Sequence, residues 1–327
     1  MEFNIENVIT TQEELIAVQV NKYDQLLSDP SLLWWDELSS DFTIAKRKRV
    51  LNWIQSIAIL RKSAEGASHR YDDQVDASAE LTSDSYEGAL EVHNHEFADD
   101  ELDHAASWAR DIANYEALFW QVLTLELLAQ GQTLNGYDGV PFFSTNHPVL
   151  LNADEGVNKN LWAGYPLTPT GLKALTADIK GTLKSHNLPN GYIRPYRLWL
   201  NPQTEFAGAE TLGAEIIGNL VADGINGSKS NLFAQQAFKN AFGWDGGVRL
   251  MQDHPMGNTY YVECRVMGRS PYETPFVRVL REMIQMRMYT KSDQVILGRS
   301  NKTEWQKDGR VAMRYGEPMC LHKVTFA

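Results

Sequence analysis

Two closely spaced histidines are the simplest candidates for chemistry in this sequence. His93 and His95 lie two residues apart in a segment whose alternation predicts a β-strand, so both side chains are expected on one face. Imidazole nitrogens are common zinc ligands, and a third ligand such as His69 would complete a site. The same spacing is also typical of an ordinary pair of surface histidines. A metal-dependent enzyme that uses His93 and His95 is therefore one alternative hypothesis.

Two pairs of aspartate and histidine have the residue types of a general acid and base. Asp138 with His147 is one pair, and Asp253 with His254 is the other. Neither pair has an evident partner, and no serine or cysteine lies in the sharp turn that exposes a nucleophile. The sequence also has no glycine-rich dinucleotide motif, phosphate-binding loop, HExxH motif or CxxC motif. We therefore predict a protein that is not an enzyme and needs no cofactor or metal.

Composition and charge narrow the class of protein. The 327 residues are 43% hydrophobic, enough for one large core or two ordinary ones. Cys264 and Cys320 are too few for a disulfide framework, and we expect two reduced, packed thiols. A net charge of -12 argues against tight binding to nucleic-acid phosphates. The sequence has neither eighteen consecutive apolar residues nor a signal peptide, so we expect an intracellular protein that does not enter a membrane.

A long helix and the loop after it would position Asp138 and His147. Asp99 or Asp100 is a suitable N-cap, and apolar residues recur every three or four positions as far as Leu127. Gly131 is a natural residue for the C-terminus, so the helix is expected to be roughly 45 Å long.

The segment YDGVPFFSTNHPV at 137–149 has the composition of a structural joint. Its DG and VP pairs favour turns, because glycine tolerates positive φ and proline fixes φ. The two phenylalanines that follow give the turn apolar surface to bury. The predicted joint residues are Asp138, Gly139, Pro141, Phe142, Phe143, His147 and Pro148.

A polar, acidic segment at 63–85 cannot form a core of its own. Strand-like segments at 53–60 and 86–97 flank it, which predicts a long β-hairpin that reaches away from the body. Such a projection is more often a contact device than a passive loop. Tyr71, Asp72 and Asp73 are its candidate contacts with another subunit.

The N-terminal region predicts an arm with a helix at 11–27. Trp34 and Trp35 present a large aromatic surface that must pack on the body or on a neighbouring subunit. The cluster Lys46, Arg47, Lys48 and Arg49 fits a solvated turn, a patch that faces nucleic acid or a neighbour, or a localisation signal. We favour the solvated turn, and we keep these six side chains as candidates for contacts between subunits.

The second half of the chain predicts a mixed α/β module and then an antiparallel sheet. The module has helices from Thr168 to about His186 and from Gln203 to about Asp223, and strands at 198–202, 248–251 and 259–266. Extended segments at 277–289, 303–314 and 318–326 follow, with turns expected at Gly298, at Asp308-Gly309 and at Gly316.

Several of these stretches together resemble the major head subunit of Mu-like phages. They are the long helix ending in LLAQG, then YDGVPFFSTNHPV, then LWLNPQTEF, and finally KDGR, YGEP and LHKV. The resemblance implies an α+β capsid fold of the Hong Kong 97 type. It implies an N-terminal arm at 1–45, an extended loop and its base at 46–90, a peripheral domain with the spine helix at 91–166, an axial domain at 167–277 and peripheral return strands at 278–327.

The function implied by the resemblance is that of a major capsid protein. Such a chain assembles with itself, as pentamers and hexamers, into an icosahedral shell around phage or prophage DNA. The implied partners are portal and scaffold or decoration proteins, and double-stranded DNA that is packaged without sequence-specific binding. The implied location is the virion capsid, assembled in the host bacterial cytoplasm. An encapsulin-like compartment that encloses a protein cargo is the alternative function for the same fold.

Overall fold

The computed structural model describes residues 33–54, 76–93, 114, 118–149, 156–183, 193–200, 247–251, 258–266, 274–289 and 302–325. Several sequence-based predictions lie outside these residues. They are the helices at 11–27 and 203–223, the hairpin tip with Tyr71, Asp72 and Asp73, the histidines His69 and His95, the pair Asp253 and His254, and the turn at Gly298.

The described residues form thirteen strands, three α-helical segments and one short 3-10 helix, Pro318–Cys320. The helical segments are α1 (Trp34–Glu37), α2 (its described residues are 114 and 118–130) and α3 (Pro169–Thr182). The strands are β1 (Ser39–Thr43), β2 (Lys48–Ile54), β3 (Asp76–Thr82), β4 (Asp84–His93), β5 (His147–Pro148), β6 (Val157–Asn158), β7 (Leu161–Ala163), β8 (Ile193–Leu200), β9 (Gly247–Leu250), β10 (Thr259–Val266), β11 (Phe276–Tyr289), β12 (Lys302–Tyr315) and β13 (Leu321–Thr325). None of the described helices is both long and apolar enough to cross a membrane.

One sheet has four strands in the order β1-β11-β12-β4. Strand β1 is parallel to β11, and the other neighbours are antiparallel. The extended segments predicted at 277–289 and 303–314 are therefore correct. Strand β1 comes from the segment predicted as an arm, so residues 39–43 belong to the body of the subunit.

The second sheet has five strands in the order β7-β13-β10-β8-β9. Its strands β8, β9 and β10 match the strands predicted for the α/β module. Strand β13, predicted to return to the peripheral domain, instead pairs with β10 and β7. Hydrogen bonding thus joins strands from both sides of the predicted domain boundaries in one sheet.

Helix α3 covers one face of the five-stranded sheet. Thr168 caps it, because its Oγ1 accepts a hydrogen bond from the Gly171 amide at 3.1 Å. Leu172, Leu175 and Ile179, spaced three and four residues apart, are fully buried against the sheet. The helix ends at Thr182, four residues before the predicted end near His186.

A second core connects the two sheets. It gathers side chains from α1, α2, the loop after α2 and both sheets. Its buried members are Trp34, Trp35, Leu38, Leu128, Phe142, Phe143, Trp199, Met251, Tyr261, Phe276, Met313 and Leu321. The joint predicted from sequence therefore contributes Phe142 and Phe143 to the main contact between the sheets.

The predicted hairpin exists, but with a different second strand. Strands β2 and β3 pair antiparallel, and Ile54 lies opposite Asp76 where the described residues stop. Residues 86–93 of the segment predicted at 86–97 belong instead to β4, which pairs with β12. A short break at Ser83 separates β3 from β4, and it lets one continuous stretch serve both the hairpin and the body.

The turn predicted at Asp308-Gly309 is wrong, because both residues lie inside β12. Opposite them, the register of β11 is irregular between Leu280 and Gln285. This irregularity brings Ile284 close, and a Cβ on Gly309 would lie 2.8 Å from its side chain. Gly309 is therefore required by a close approach within the sheet, not by a turn.

Candidate functional site

The four basic residues at the base of the hairpin are all exposed but have different surroundings. The Lys48 ammonium lies 2.5 Å from Glu80 Oε1 across the hairpin. Arg49 donates to the Thr43 carbonyl at 3.2 Å and stacks on a nearby aromatic ring. The structure shows no side-chain partner for Lys46 and Arg47 among the described residues. These two cations project from the bend that leads into β2.

The base of the hairpin is fixed to the four-stranded sheet. Arg314 of β12 donates to Asp84 Oδ2 at 2.7 Å and to Thr82 Oγ1 at 3.2 Å, at the break between β3 and β4. Ile44 and Leu81 are buried against β11 and β12 just beneath. The β2–β3 ribbon therefore leaves the body in a defined direction.

Trp34 and Trp35, two of the candidate contact residues, are covered by the subunit itself. They are 2% and 4% exposed. Trp34 packs edge-on against Trp199 with ring centroids 6.3 Å apart, and the ring centroids of Trp35 and Trp120 are 6.1 Å apart. The two tryptophans therefore pack on the body of their own subunit and not on a neighbouring subunit. Neither ring is accessible to a neighbouring subunit, because side chains of the second core cover both.

The loop after α2 makes the turn expected of its DG pair. Gly139 has φ of 76°, a value that glycine adopts without strain. The Gly136 amide donates to the Val140 carbonyl at 2.7 Å and closes the turn. Phe142 then stacks on Tyr315 with ring centroids 4.4 Å apart, and it is fully buried. The loop thus fixes the end of α2 to strand β12 of the four-stranded sheet.

Gly131 ends α2 for a different reason from the one expected. Its φ is not in the left-handed region, so it is not the usual glycine cap. The Phe143 ring instead lies where a Cβ on Gly131 would be, and the Phe143 amide donates to the Gly131 carbonyl at 2.7 Å. The absence of a side chain at 131 therefore lets the joint pack against the helix end.

A buried polar network holds the joint together. His147 Nδ1 lies 2.6 Å from Asp138 Oδ2, and His147 Nε2 lies 3.1 Å from Asn160 Oδ1. Asn160 is fully buried and also contacts the backbone of the joint and of the C-terminal segment. Asp138 and His147 lie in the segment that predicts a joint, whereas no sequence motif marks Asn160.

A partly buried charged cluster links α1 to the five-stranded sheet. Arg197 of β8 forms ion pairs with Glu37 of α1 and with Glu263 of β10, the latter at 3.4 Å. Glu263 also accepts from the Trp199 indole at 3.1 Å. Burial raises the pKa of Glu263 to about 7, although Arg197 and the indole act in the opposite direction.

His322, another buried histidine, has partners that fit a neutral ring. The Trp162 indole donates to His322 Nδ1 at 2.9 Å, and His322 Nε2 lies 3.0 Å from the Met319 carbonyl. One nitrogen therefore accepts and the other donates. Burial lowers the pKa of His322 to about 3, in agreement with a ring that carries one proton.

The candidate metal and catalytic residues are not assembled into a site by the described part of the chain. No group of three potential ligands that could hold a metal ion lies within it. His93 ends β4, while the other two proposed ligands, His69 and His95, lie outside the described residues. The side chains of Asp138 and His147 do meet, but they are only 5% and 3% exposed.

Comparison with known proteins gives a match to one family model and a likeness to solved structures. Residues 15–165 match the family model described as the Mu-like prophage major head subunit gpT. A comparison with curated protein sequences finds no match. The resemblance found in the sequence is confirmed by the family match.

The solved structures similar to this chain include phage capsids. The capsid of the cyanophage P-SCSP1u matches with a TM-score of 0.52 at 13% identity, over 89% of this chain and 86% of that one. The capsid of a native GTA particle matches with a TM-score of 0.52 at 11% identity, over 91% of each chain. The procapsid of bacteriophage JBD30 has a TM-score of 0.48 at 13% identity, over 99% of this chain and 76% of that one. The first two likenesses confirm the predicted α+β capsid fold of the Hong Kong 97 type.

Proposed function

We propose that this chain is a major head subunit of the Mu-like phage family and that it builds a closed icosahedral shell from pentamers and hexamers of itself. The observation that carries this proposal is the family match over residues 15–165, which spans the hairpin, the spine helix and the joint. The capsid fold supports it independently. The location of the chain is accordingly the capsid of a virion.

The β2–β3 ribbon is the surface best suited to contact a neighbouring copy. An isolated two-stranded ribbon is marginally stable in water, so this one needs further contacts along its length. Its exposed face includes Val50, which is 56% exposed. Residues 55–75, which join the two strands of the ribbon in sequence, include the candidate contact residues Tyr71, Asp72 and Asp73.

The remaining partners follow from the charge and from the family. With a net charge of -12, the shell encloses double-stranded DNA without reading its sequence. Lys46 and Arg47 meet acidic residues of a neighbouring subunit. We also propose that portal and scaffold or decoration proteins join the shell, that it assembles in the host bacterial cytoplasm, and that the chain has no enzymatic role.

Electron microscopy of the purified protein tests the proposal. Negative staining is expected to show uniform closed shells, and their absence under all assembly conditions would contradict a capsid function. DNA that purifies with shells made during infection supports a phage capsid, whereas one constant protein cargo supports the encapsulin-like alternative.

A shortened hairpin tests the proposed contact. Replacing residues 55–75 by Asn-Gly joins Ile54 to Asp76, which already face each other, through a favoured two-residue turn. We expect a folded subunit with an unchanged melting temperature that forms no closed shell. A control replaces the same residues by a Gly/Ser segment of equal length. This control keeps the length of the segment but removes its side chains, so it shows which of the two the contact requires. Intact shells from the shortened variant would refute the contact.

A further inference from the structure

The orientation of the Asn160 side-chain amide is fixed by its neighbours. Its Nδ2 lies 2.6 Å from the Phe142 carbonyl, 2.9 Å from the Pro318 carbonyl and 3.3 Å from the Leu321 carbonyl. Its Oδ1 lies 2.9 Å from the Ser144 amide, which can only donate. If the amide were flipped, its oxygen would face the three carbonyl oxygens and its NH2 group would face the Ser144 N–H. Both arrangements are repulsive. Asn160 Oδ1 is therefore an acceptor.

This orientation determines what His147 must donate. Because Asn160 Oδ1 only accepts, His147 Nε2 at 3.1 Å has to carry a hydrogen. A singly protonated ring would then turn the lone pair of Nδ1 toward Asp138 Oδ2 at 2.6 Å. Two lone pairs at that distance repel each other, so a second proton must lie between Nδ1 and the carboxylate.

We propose that Asp138, His147 and Asn160 form a proton-loaded clasp that closes the joint. The described geometry needs one proton on His147 Nε2 and a second between His147 Nδ1 and Asp138 Oδ2. This arrangement corresponds to an imidazolium paired with a carboxylate. The pair is then neutral as a whole, which suits side chains that are 3% and 5% exposed. Val140 donates its amide to the other oxygen of Asp138 at 3.2 Å, so the carboxylate is held at both oxygens.

The clasp positions four separate parts of the chain. Asp138 lies in the loop after α2, His147 in β5, Asn160 before β7, and the carbonyls of Pro318 and Leu321 in the C-terminal segment. It therefore holds the loop after α2 against the residues before β7 and against the C-terminal segment. This role concerns the fold of each subunit and does not depend on the proposed shell.

The neutral state of His322 fits the same charge assignment. Its single proton is explained by its own partners, and burial keeps its pKa low. A second cation next to an imidazolium is unfavourable, so one charged and one neutral ring can share this core.

Neutron diffraction from crystals of the wild-type, full-length protein tests the clasp without any substitution. We expect a deuteron on His147 Nε2 and another between Nδ1 and Asp138 Oδ2. His322 is the internal control, with a deuteron on Nε2 alone. A bare Nε2 on His147, or no deuteron between His147 and Asp138, would overturn the proposal.

Two substitutions at Asp138 give a second test in solution. Asp138→Asn can donate its amide to a bare Nδ1, so the ring can lose one proton and keep its hydrogen bonds. Asp138→Ala cannot replace the lost acceptor. We expect the His147 side-chain NMR signals of the Asn variant to change from two N–H groups to one, with a smaller loss of melting temperature than for Ala. An unchanged His147 spectrum in the Asn variant would contradict the clasp.

Discussion

Two ion pairs of nearly equal length illustrate how the joint and the hairpin base differ. The atoms of Asp138 and His147 lie 2.6 Å apart with both side chains at most 5% exposed. The atoms of Lys48 and Glu80 lie 2.5 Å apart, but these side chains are 61% and 51% exposed. Breaking a buried pair typically costs about 3–5 kcal/mol, whereas an exposed pair contributes about 0–1 kcal/mol.

This difference separates stability from assembly within one subunit. The joint is a closed network in which the buried polar groups of Asp138, His147 and Asn160 have partners. The hairpin base presents charges that water already solvates, so their loss changes little within the subunit. Substitutions in the joint should therefore destabilise the subunit, and those in the hairpin should change what the subunit binds.

The largest expected effect comes from Asn160→Ala. This change leaves three carbonyls, the Ser144 amide and His147 Nε2 without their buried partner. We expect a loss of about 3–5 kcal/mol in the free energy of unfolding, measured by urea denaturation. The matched control is Asn146→Ala, since the side chain at 146 is exposed in the same loop. Equal stabilities for the two variants would show that the buried network of the joint does not stabilise the subunit more than an exposed side chain does.

The charged cluster at Glu263 extends the comparison to pH. Its folded-state pKa of about 7 lies above its ordinary value of 4.5, so the folded state binds more protons between these values. The contribution of this group to stability is full below about pH 4.5 and is lost as the pH rises through about 7, by about 3 kcal/mol at most.

Glu263→Gln checks this pH dependence. The amide does not titrate, yet its oxygen can still accept from the Trp199 indole. Relative to the wild type, the variant should gain stability between pH 4.5 and pH 8, by up to about 3 kcal/mol in urea denaturation. Parallel pH profiles for the two proteins would show that Glu263 does not titrate in this range.

A smaller effect is expected for the exposed ion pair of the hairpin. Lys48→Gln removes the contact with Glu80 and should change the free energy of unfolding by about 0–1 kcal/mol. High salt should reduce even this difference, because it screens exposed charges. A loss comparable to that of Asn160→Ala would mean that the hairpin base contributes to the subunit core after all.

The smallest effect on stability is expected for the double variant Lys46→Gln/Arg47→Gln. Both side chains are exposed, so unfolding should change by less than about 0.5 kcal/mol. Assembly of empty shells should nevertheless fail, as judged by negative-stain microscopy. The control is Lys48→Gln/Arg49→Gln, in which the lost contacts lie within the subunit. Normal assembly of empty shells, together with lower DNA retention in filled shells, would assign Lys46 and Arg47 to a contact with the genome instead.

Local patterns in the sequence were sufficient for much of the fold. The Thr168 cap and the apolar stripe after it specify α3, and alternation specifies the long strands β11 and β12. The turn at Gly139 follows from its own dipeptide. In each case the signal and the structure lie within a few residues of each other, so the chain carries the information locally.

Only the tertiary structure decided which distant groups meet. Asn160 contacts carbonyls up to 161 residues away, and β13 joins β10 although a local pattern cannot specify its partner. Gly131 and Gly309 resemble a helix cap and a turn in sequence, yet Phe143 and Ile284 explain them in the structure. The sequence thus determined the elements and the capsid resemblance. Burial and long-range contacts decided the charge, partner and role of each buried polar group. These properties depend on neighbouring residues that sequence spacing does not encode.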